Sequence, residues 1–336
     1  MQYTNLGRTG LKVSRLCLGT MNFGPETHEP EAFAIMDKAF ELGINFWDTA
    51  DVYGWKRGEQ ITEKIIGRWL AKNPDKRNSL VIATKFYNEM GPGINDRGNS
   101  AYHIRHACDA SLRALQTDHL DLYQMHHIDR ATPWDEIWNA YDVLIKQGKV
   151  IYAGSSNFPG WCIAKANESA LRHNMLGLVA EQCKYSLQCR HVELEILPAA
   201  RDYGLGVIPW SPLAGGMLAG VLSGTAGKRR QGDWVKPHIE ANRPRLEKWE
   251  ALCKDLGHAP ADVALAWTLH NPAVTAPIIG PRTLDQLTDS LRALDVKLSE
   301  ETLAALDQIW PAAGHADVQP GSKSRFKYES PEAFAW

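Results

Sequence analysis

Four side chains of this 336-residue chain are spaced so that they can cooperate in moving a proton: Asp48, Tyr53, Lys85 and His126. Asp48 follows the run Ile44-Asn45-Phe46-Trp47, and a carboxylate at the end of a buried strand is costly unless a cation answers it. Lys85 closes the run Val81-Ile82-Ala83-Thr84 and supplies that cation. Tyr53 follows Asp48 closely. An ammonium held beside its hydroxyl is expected to bring the phenol below its usual value of ~10 and make it a proton donor near neutral pH. His126 ends the run Leu122-Tyr123-Gln124-Met125; as neutral imidazole it can orient or polarise a carbonyl oxygen. The chemistry implied is protonation and stabilisation of an oxyanion. Singly, each residue has an ordinary reading, because buried Asp–Lys pairs and strand-end histidines are often only structural. That reading does not predict all four at the ends of consecutive strands.

The surrounding pattern supplies those strands. Apolar, strand-like runs fall at 16–18, 44–47, 80–83, 120–124, 150–153, 178–180, 207–210 and 274–279. Helical periodicity lies between and after them, at 31–42, 60–71, 101–115, 134–147, 160–172, 193–203, 261–270 and 283–294. Leu42-Gly43, Gln147-Gly148, Leu176-Gly177 and Tyr203-Gly204 each set a glycine between helix and strand, as a left-handed helix end requires. Eight strand–helix units with tight joints predict an α/β chain: a single (β/α)8 TIM barrel spanning 1–336. Runs flanking Gly7-Arg8-Thr9-Gly10 predict an N-terminal β-hairpin, 299–310 a further C-terminal helix, and 311–336 an irregular tail. Two loops that follow strands, where barrels place their chemistry, are extended: 87–100 after the third and 211–243 after the seventh. The second is Gly-rich and then basic at Lys228-Arg229-Arg230, the composition of either a lid or a surface insertion. Two doubly wound domains are the alternative; a nucleotide-binding version needs a GxGxxG turn. The nearest glycine pair, Gly204-Leu205-Gly206, enters the strand-like Val207-Ile208-Pro209 rather than a helix.

With 37 basic and 39 acidic residues the formal net charge is −2, which gives no reason to expect nucleic acid or an anionic membrane as partner. No apolar run approaches a membrane span, and Met1-Gln2-Tyr3-Thr4-Asn5 lacks a signal-peptide pattern. The six cysteines form no CxxC pair, so reduced, mostly buried thiols in a cytoplasmic protein are expected rather than disulfides or zinc. A metal-dependent barrel hydrolase would need clustered His and Asp at strand ends. Only Asp48 and His126 qualify, beside a lysine that repels a cation, so no metal is expected. Nothing in the chain specifies an oligomeric state.

Asp48-x4-Tyr53-Gly54, Thr84-Lys85 and Asp121-Leu122-Tyr123-Gln124-Met125-His126 together resemble the signature of the aldo-keto reductase superfamily. The resemblance runs from Leu6-Gly7-Arg8-Thr9-Gly10 to the helix after Gly280, and is nearest to the bacterial reductases and the potassium-channel β-subunits. It implies reduction of a small-molecule aldehyde or ketone by hydride from NADPH, with NADH less favoured. Tyr53 is then the general acid, Lys85 and Asp48 tune it, and His126, which the channel subunits lose, orients the carbonyl. It assigns Thr20 and Met21 to cofactor contact, Ser156, Asn157 and Gln182 to the nicotinamide carboxamide, and Trp210 to the face of the ring. The backbone of Ser211, Pro212, Leu213 and Gly215 follows the pyrophosphate. Gly280 lets the cofactor approach the backbone closely, Arg282 meets the adenosine 2′-phosphate, and Gln286, Asp289 and Ser290 belong to the adenine end of the site. The residue types suit these roles: a flat aromatic matches the ring, Ser-Asn and Gln offer an amide both donors and acceptors, and a guanidinium grips phosphate. The chain departs from the pattern at Val221, where many relatives carry lysine, and at Ser290, where asparagine is frequent. Trp55, Tyr87, Met90 and the loop containing Trp234 are expected to wall an apolar substrate pocket.

Overall fold

The computed structural model of the chain describes residues 1–223 and 236–312. Lys228-Arg229-Arg230, Trp234 and nearly all of the expected tail lie outside the described residues. The chain begins with an antiparallel hairpin, β1 (Tyr3–Asn5) and β2 (Lys12–Ser14). The barrel strands are β3 (Cys17–Gly19), β4 (Phe46–Asp48), β5 (Val81–Phe86), β6 (Leu120–Met125), β7 (Val150–Ser156), β8 (Leu178–Gln182), β9 (Gly206–Val207) and β10 (Ile278–Ile279). Between and after them run α1 (Glu29–Glu41), α2 (Ile61–Lys72), α3 (Ala101–Leu115), α4 (Trp134–Lys146), α5 (Gly160–Arg172), α6 (Ile196–Asp202), α7 (Lys236–Asp255), α8 (Pro260–His270), α9 (Leu284–Ser290) and α10 (Glu300–Ile309). The sheet is parallel throughout, in the order β10-β3-β4-β5-β6-β7-β8-β9. It closes on itself: Val207 bridges Val274 in parallel, Thr275 N–H donates to Val207 O at 2.8 Å, and Ile278 N–H donates to Pro209 O at 2.8 Å.

Period-two alternation sorts each strand into an inner and an outer face. Cys17, Phe46, Val81, Ala83, Leu122, Ala180, Ile208 and Ala276 fill the barrel interior as one apolar cluster. Leu6, just after β1, and Val13, within β2, plug the end where the strands begin. Trp47, Ile82 and Tyr123 alternate outward into a second core beneath the helices, where Trp47 meets Trp69 at 4.9 Å between ring centres. Burying one such large side chain contributes about 1.5–3 kcal/mol. The inner stack changes character at its far end: one step of period two beyond Phe46, Ala83, Leu122 and Ala180 come Asp48, Lys85, Gln124 and Gln182, all buried. That polar layer lies at the carboxyl ends of the strands, on the rim that the loops after the strands enclose.

The expected joints form as read. Gly43, Gly148, Gly177 and Gly204 have φ of +78°, +70°, +80° and +64°, a region that side-chain-bearing residues resist. The long loop at 87–100 and the C-terminal helix, with Ser299 accepting from Thr302 N–H, also match. The extended loop expected at 211–243 is corrected at its end: α7 starts at Lys236. Two features concealed it. Pro244 inside the helix reads as a breaker, because it donates no hydrogen bond. Its fully buried residues, Leu246, Trp249 and Cys253, all fall in its second half, while the first half is polar apart from the partly buried Ile239.

Candidate active site

Closing the barrel brings Asp48, Tyr53 and Lys85 together. Lys85 has no exposed surface and Tyr53 is 8% exposed. The Lys85 ammonium has three protons and meets three acceptors: Asp48 Oδ2 at 2.7 Å, the carbonyl of Thr49 at 2.8 Å and Tyr53 Oη at 3.1 Å. Asp48 is held from the other side as well, where Oδ1 accepts from Gln182 Nε2 at 2.7 Å and Gln124 Nε2 at 3.3 Å. Thr20, at the end of β3, donates to the Asp48 carbonyl from both its backbone N–H, at 3.0 Å, and its hydroxyl, at 2.8 Å. Burial alone would pull the Lys85 ammonium down, but Asp48 and Tyr53 outweigh it and hold lysine above its ordinary value.

The expectation for Tyr53 is corrected. Burial pushes its phenol above the ordinary value, and Lys85 offsets this only in part while Asp48 adds to it. Desolvation of a phenolate wins because the ammonium is already shared with a carboxylate. Tyr53 therefore keeps its proton across the neutral range. Its oxygen accepts from Lys85, so its own O–H remains to be given elsewhere.

His126, on the loop after β6, meets Tyr53 edge-on at 6.1 Å between ring centres and stacks on His127 at 4.9 Å. Burial, then the Lys85 and His127 charges, hold it well below the ordinary imidazole value, so it is neutral. Its backbone is pinned by His126 N–H to Phe86 O at 2.9 Å and by Asn157 Nδ2 to His126 O at 3.2 Å. Trp55 is 61% exposed, with its ring 5.9 Å from that of Tyr53, at the mouth of the site. Tyr87 lies edge-on to His127 at 5.2 Å instead of against Tyr53.

The residues proposed to meet a cofactor divide into three groups. Ser156, Asn157, Gln182 and Trp210 form one network: Trp210 Nε1 donates to Asn157 Oδ1 at 3.0 Å, Asn157 Nδ2 donates to Ser156 Oγ at 3.1 Å, and Ser156 Oγ donates to Gln182 O at 2.9 Å. Gln182 turns its NH2 to Asp48, so its Oε1 is the atom left to accept from a ligand amide. Trp55, Tyr87, Asn157, Ser211 and Ala214, all on loops after strands, have left-handed backbones, strain that functional sites commonly carry. Met21 is half-buried on the loop after β3; Pro212 is buried and Leu213 half-buried in the loop after β9, where Gly215 has φ of +64°. Across the rim, Gly280 is exposed, with its carbonyl held by Asn22 Nδ2 at 3.0 Å. Arg282 is mostly buried, and its Nη1 lies 3.6 Å from Glu26 Oε2. The α9 residues are occupied locally: Gln286 Oε1 caps Arg282 N–H, Asp289 pairs with Arg292, and Ser290 Oγ donates to Gln286 O. Val221 is a half-buried hydrophobic residue packed on the core. This rim fits a nicotinamide dinucleotide: an amide acceptor beside a held indole at one end, a guanidinium at the other.

Several participants lay outside the sequence-based set, among them Gln124, the Thr49 carbonyl, Glu26, Asn22 and Asn88. Gln124 shares the inward face with Leu122, so period two along β6 could have found it. The Thr49 carbonyl and Glu26 carry no comparable signal.

The family model described as Aldo/keto reductase family matches residues 15–311. An uncharacterized oxidoreductase of Bacillus subtilis (strain 168), YrpG, is 52% identical over 343 residues, covering 100% of each chain. Norsolorinic acid reductase stcV of Emericella nidulans is 34% identical over 96% of this chain and 83% of its own. A probable voltage-gated potassium channel subunit beta of Arabidopsis thaliana is 34% identical over 88% of this chain and 92% of its own.

Proposed function

Because the chain belongs to the aldo/keto reductase family and is an oxidoreductase by that membership, we propose that it reduces an aldehyde or ketone to an alcohol. NADPH is the hydride donor in this reading and Tyr53 the proton donor. One observation carries it: Lys85, held by Asp48 and the Thr49 carbonyl, gives its third hydrogen bond to the Tyr53 oxygen and leaves the phenolic proton unspent. When bound, the nicotinamide supplies a hydride to the carbonyl carbon. The oxygen then becomes an alkoxide, a stronger base than phenolate, and takes the Tyr53 proton. Lys85 stabilises the phenolate left behind, and Asp48 keeps Lys85 charged and in place. His126 hydrogen-bonds the carbonyl oxygen and sets its position.

Trp210 and the Ser156–Asn157–Gln182 network would seat the nicotinamide, with Ser211–Gly215 backbone along the pyrophosphate. Arg282 favours the 2′-phosphate of NADPH over NADH. Substrates are small carbonyl compounds passing an aromatic mouth at Trp55 and Tyr87. A cytoplasmic setting is supported by six free cysteines, five of them buried. Among the described residues no helix is long and apolar enough to cross a membrane.

A second reading, a nucleotide-sensing accessory subunit with little turnover, has the similarity to the channel subunit in its favour. A panel of aldehydes and ketones assayed with NADPH and NADH separates the two. Steady cofactor oxidation, faster with NADPH, is expected; tight NADPH binding with no turnover of any carbonyl refutes the reductase.

A further inference from the structure

His126 has two ring nitrogens, and a side chain outside the reacting group meets one of them. Asn88, on the long loop after β5, places Nδ2 at 3.1 Å from His126 Nδ1. An amide NH2 only donates, so Nδ1 takes this bond with a lone pair. A neutral imidazole carries one N–H, and with Nδ1 bare that proton sits on Nε2. Among the described residues the ring is otherwise positioned by its backbone, through Phe86 O and Asn157 Nδ2, by stacking on His127 and by the edge-on Tyr53 ring. None of those contacts chooses between its two tautomers. The titratable or charged groups facing the ring are Tyr53, which keeps its proton, and Lys85 and His127, both of which disfavour a second proton on it.

We propose that Asn88 is a positioning residue that holds His126 in the Nε2–H tautomer, so that the imidazole presents a donor to the carbonyl oxygen that Tyr53 protonates. The opposite tautomer would turn a lone pair toward that oxygen and repel it. The proposal rests on the reductase reading above and assigns a loop residue to it. The 87–100 loop thereby gains a chemical role: through Asn88 it selects which imidazole nitrogen carries the proton.

The test uses the full-length chain. Long-range proton–nitrogen couplings identify the tautomer, with His126→Gln marking which signals belong to His126. The wild type is expected to show neutral imidazole protonated at Nε2. Asn88→Asp has the same shape but can only accept, so it should move the proton to Nδ1 or yield imidazolium. Its kcat/KM for a carbonyl should fall by roughly tenfold to a hundredfold, the scale of one charge-assisted hydrogen bond made or lost, with NADPH affinity unchanged. The acid limb of kcat/KM should also move to higher pH, because a carboxylate beside the ring raises its pKa and keeps it protonated further up the scale. Asn88→Ala, read by the same couplings, should give mixed tautomers and serves if the aspartate variant fails to fold. A wild-type ring protonated at Nδ1, or an Asn88→Asp enzyme with wild-type tautomer and acid limb, overturns the proposal. Full turnover in His126→Gln removes His126 from the reaction and overturns the proposal, whereas a wild type that turns over no carbonyl overturns the underlying reading and the proposal with it. Loss of turnover in His126→Gln beside wild-type behaviour in Asn88→Asp overturns the proposal alone.

Discussion

Asp48→Asn tests the electrostatic arrangement at its root. The carboxylate accepts from Lys85 on one oxygen and from Gln182 and Gln124 on the other, and all four side chains are buried. Asparagine keeps the shape but has one acceptor oxygen, so its NH2 must face either an ammonium or an amide NH2. More important, an ammonium with no exposed surface loses its counter-charge. Removing one partner of a buried pair costs about 3–5 kcal/mol, a large part of the about 5–15 kcal/mol that keeps a domain folded. The pH dependence has a definite sign. In the wild type Lys85 is held above its ordinary value, so its contribution is full below the unfolded value and fades as pH rises through the folded one. In the variant burial dominates and the folded value drops below the unfolded value of ~10.4. The penalty is then full at neutral pH and shrinks as both states lose the proton. Urea unfolding should therefore show a wide stability gap from wild type near pH ~7 and a narrower one near pH ~9.5. Adding Lys85→Met to Asp48→Asn should recover stability, because it removes the unpaired charge. A single variant within about 1 kcal/mol of wild type, or a double variant less stable than the single, would refute the reasoning.

Other outcomes follow from the same site. Tyr53→Phe should lower kcat by about 10²- to 10⁴-fold, the usual share of a general acid, while NADPH still quenches Trp210 fluorescence; turnover near wild type would remove Tyr53 from the mechanism. Arg282→Ala should raise the KM for NADPH by about tenfold or more and leave that for NADH nearly unchanged, as loss of a charge-assisted phosphate bond requires; equal changes would place the 2′-phosphate elsewhere. Burial pushes the Glu181 carboxyl up to about 8 despite hydrogen bonds from Ser155 and the Phe158 N–H. Relative to Glu181→Gln, wild-type stability should fall by about 1.4 kcal/mol per pH unit between the ordinary carboxylate range and that value, since unfolding there releases a proton. Parallel pH–stability curves for the two proteins would show that Glu181 is ionised in the fold.

Much of this molecule is local in the chain, and that part was readable. Strand alternation, helical spacing and the four left-handed glycines are short-range patterns, and they sufficed for the barrel, its hairpin and the rim on which Asp48, Lys85 and His126 stand. Helix α7 escaped because its apolar anchors are few and a proline precedes them. What the tertiary structure alone decided concerns burial and partners. The direction of the Tyr53 shift depends on how deeply the phenol is desolvated and how far Lys85 is already committed to Asp48, and neither is written in residue types. Gln182 reaching Asp48 across 134 positions, Glu26 beside Arg282, and Asn88 on one nitrogen of His126 exist only once the sheet has closed. Periodicity states which face a side chain occupies; which of its hydrogen-bonding atoms remains free for chemistry is settled by neighbours that arrive from distant strands.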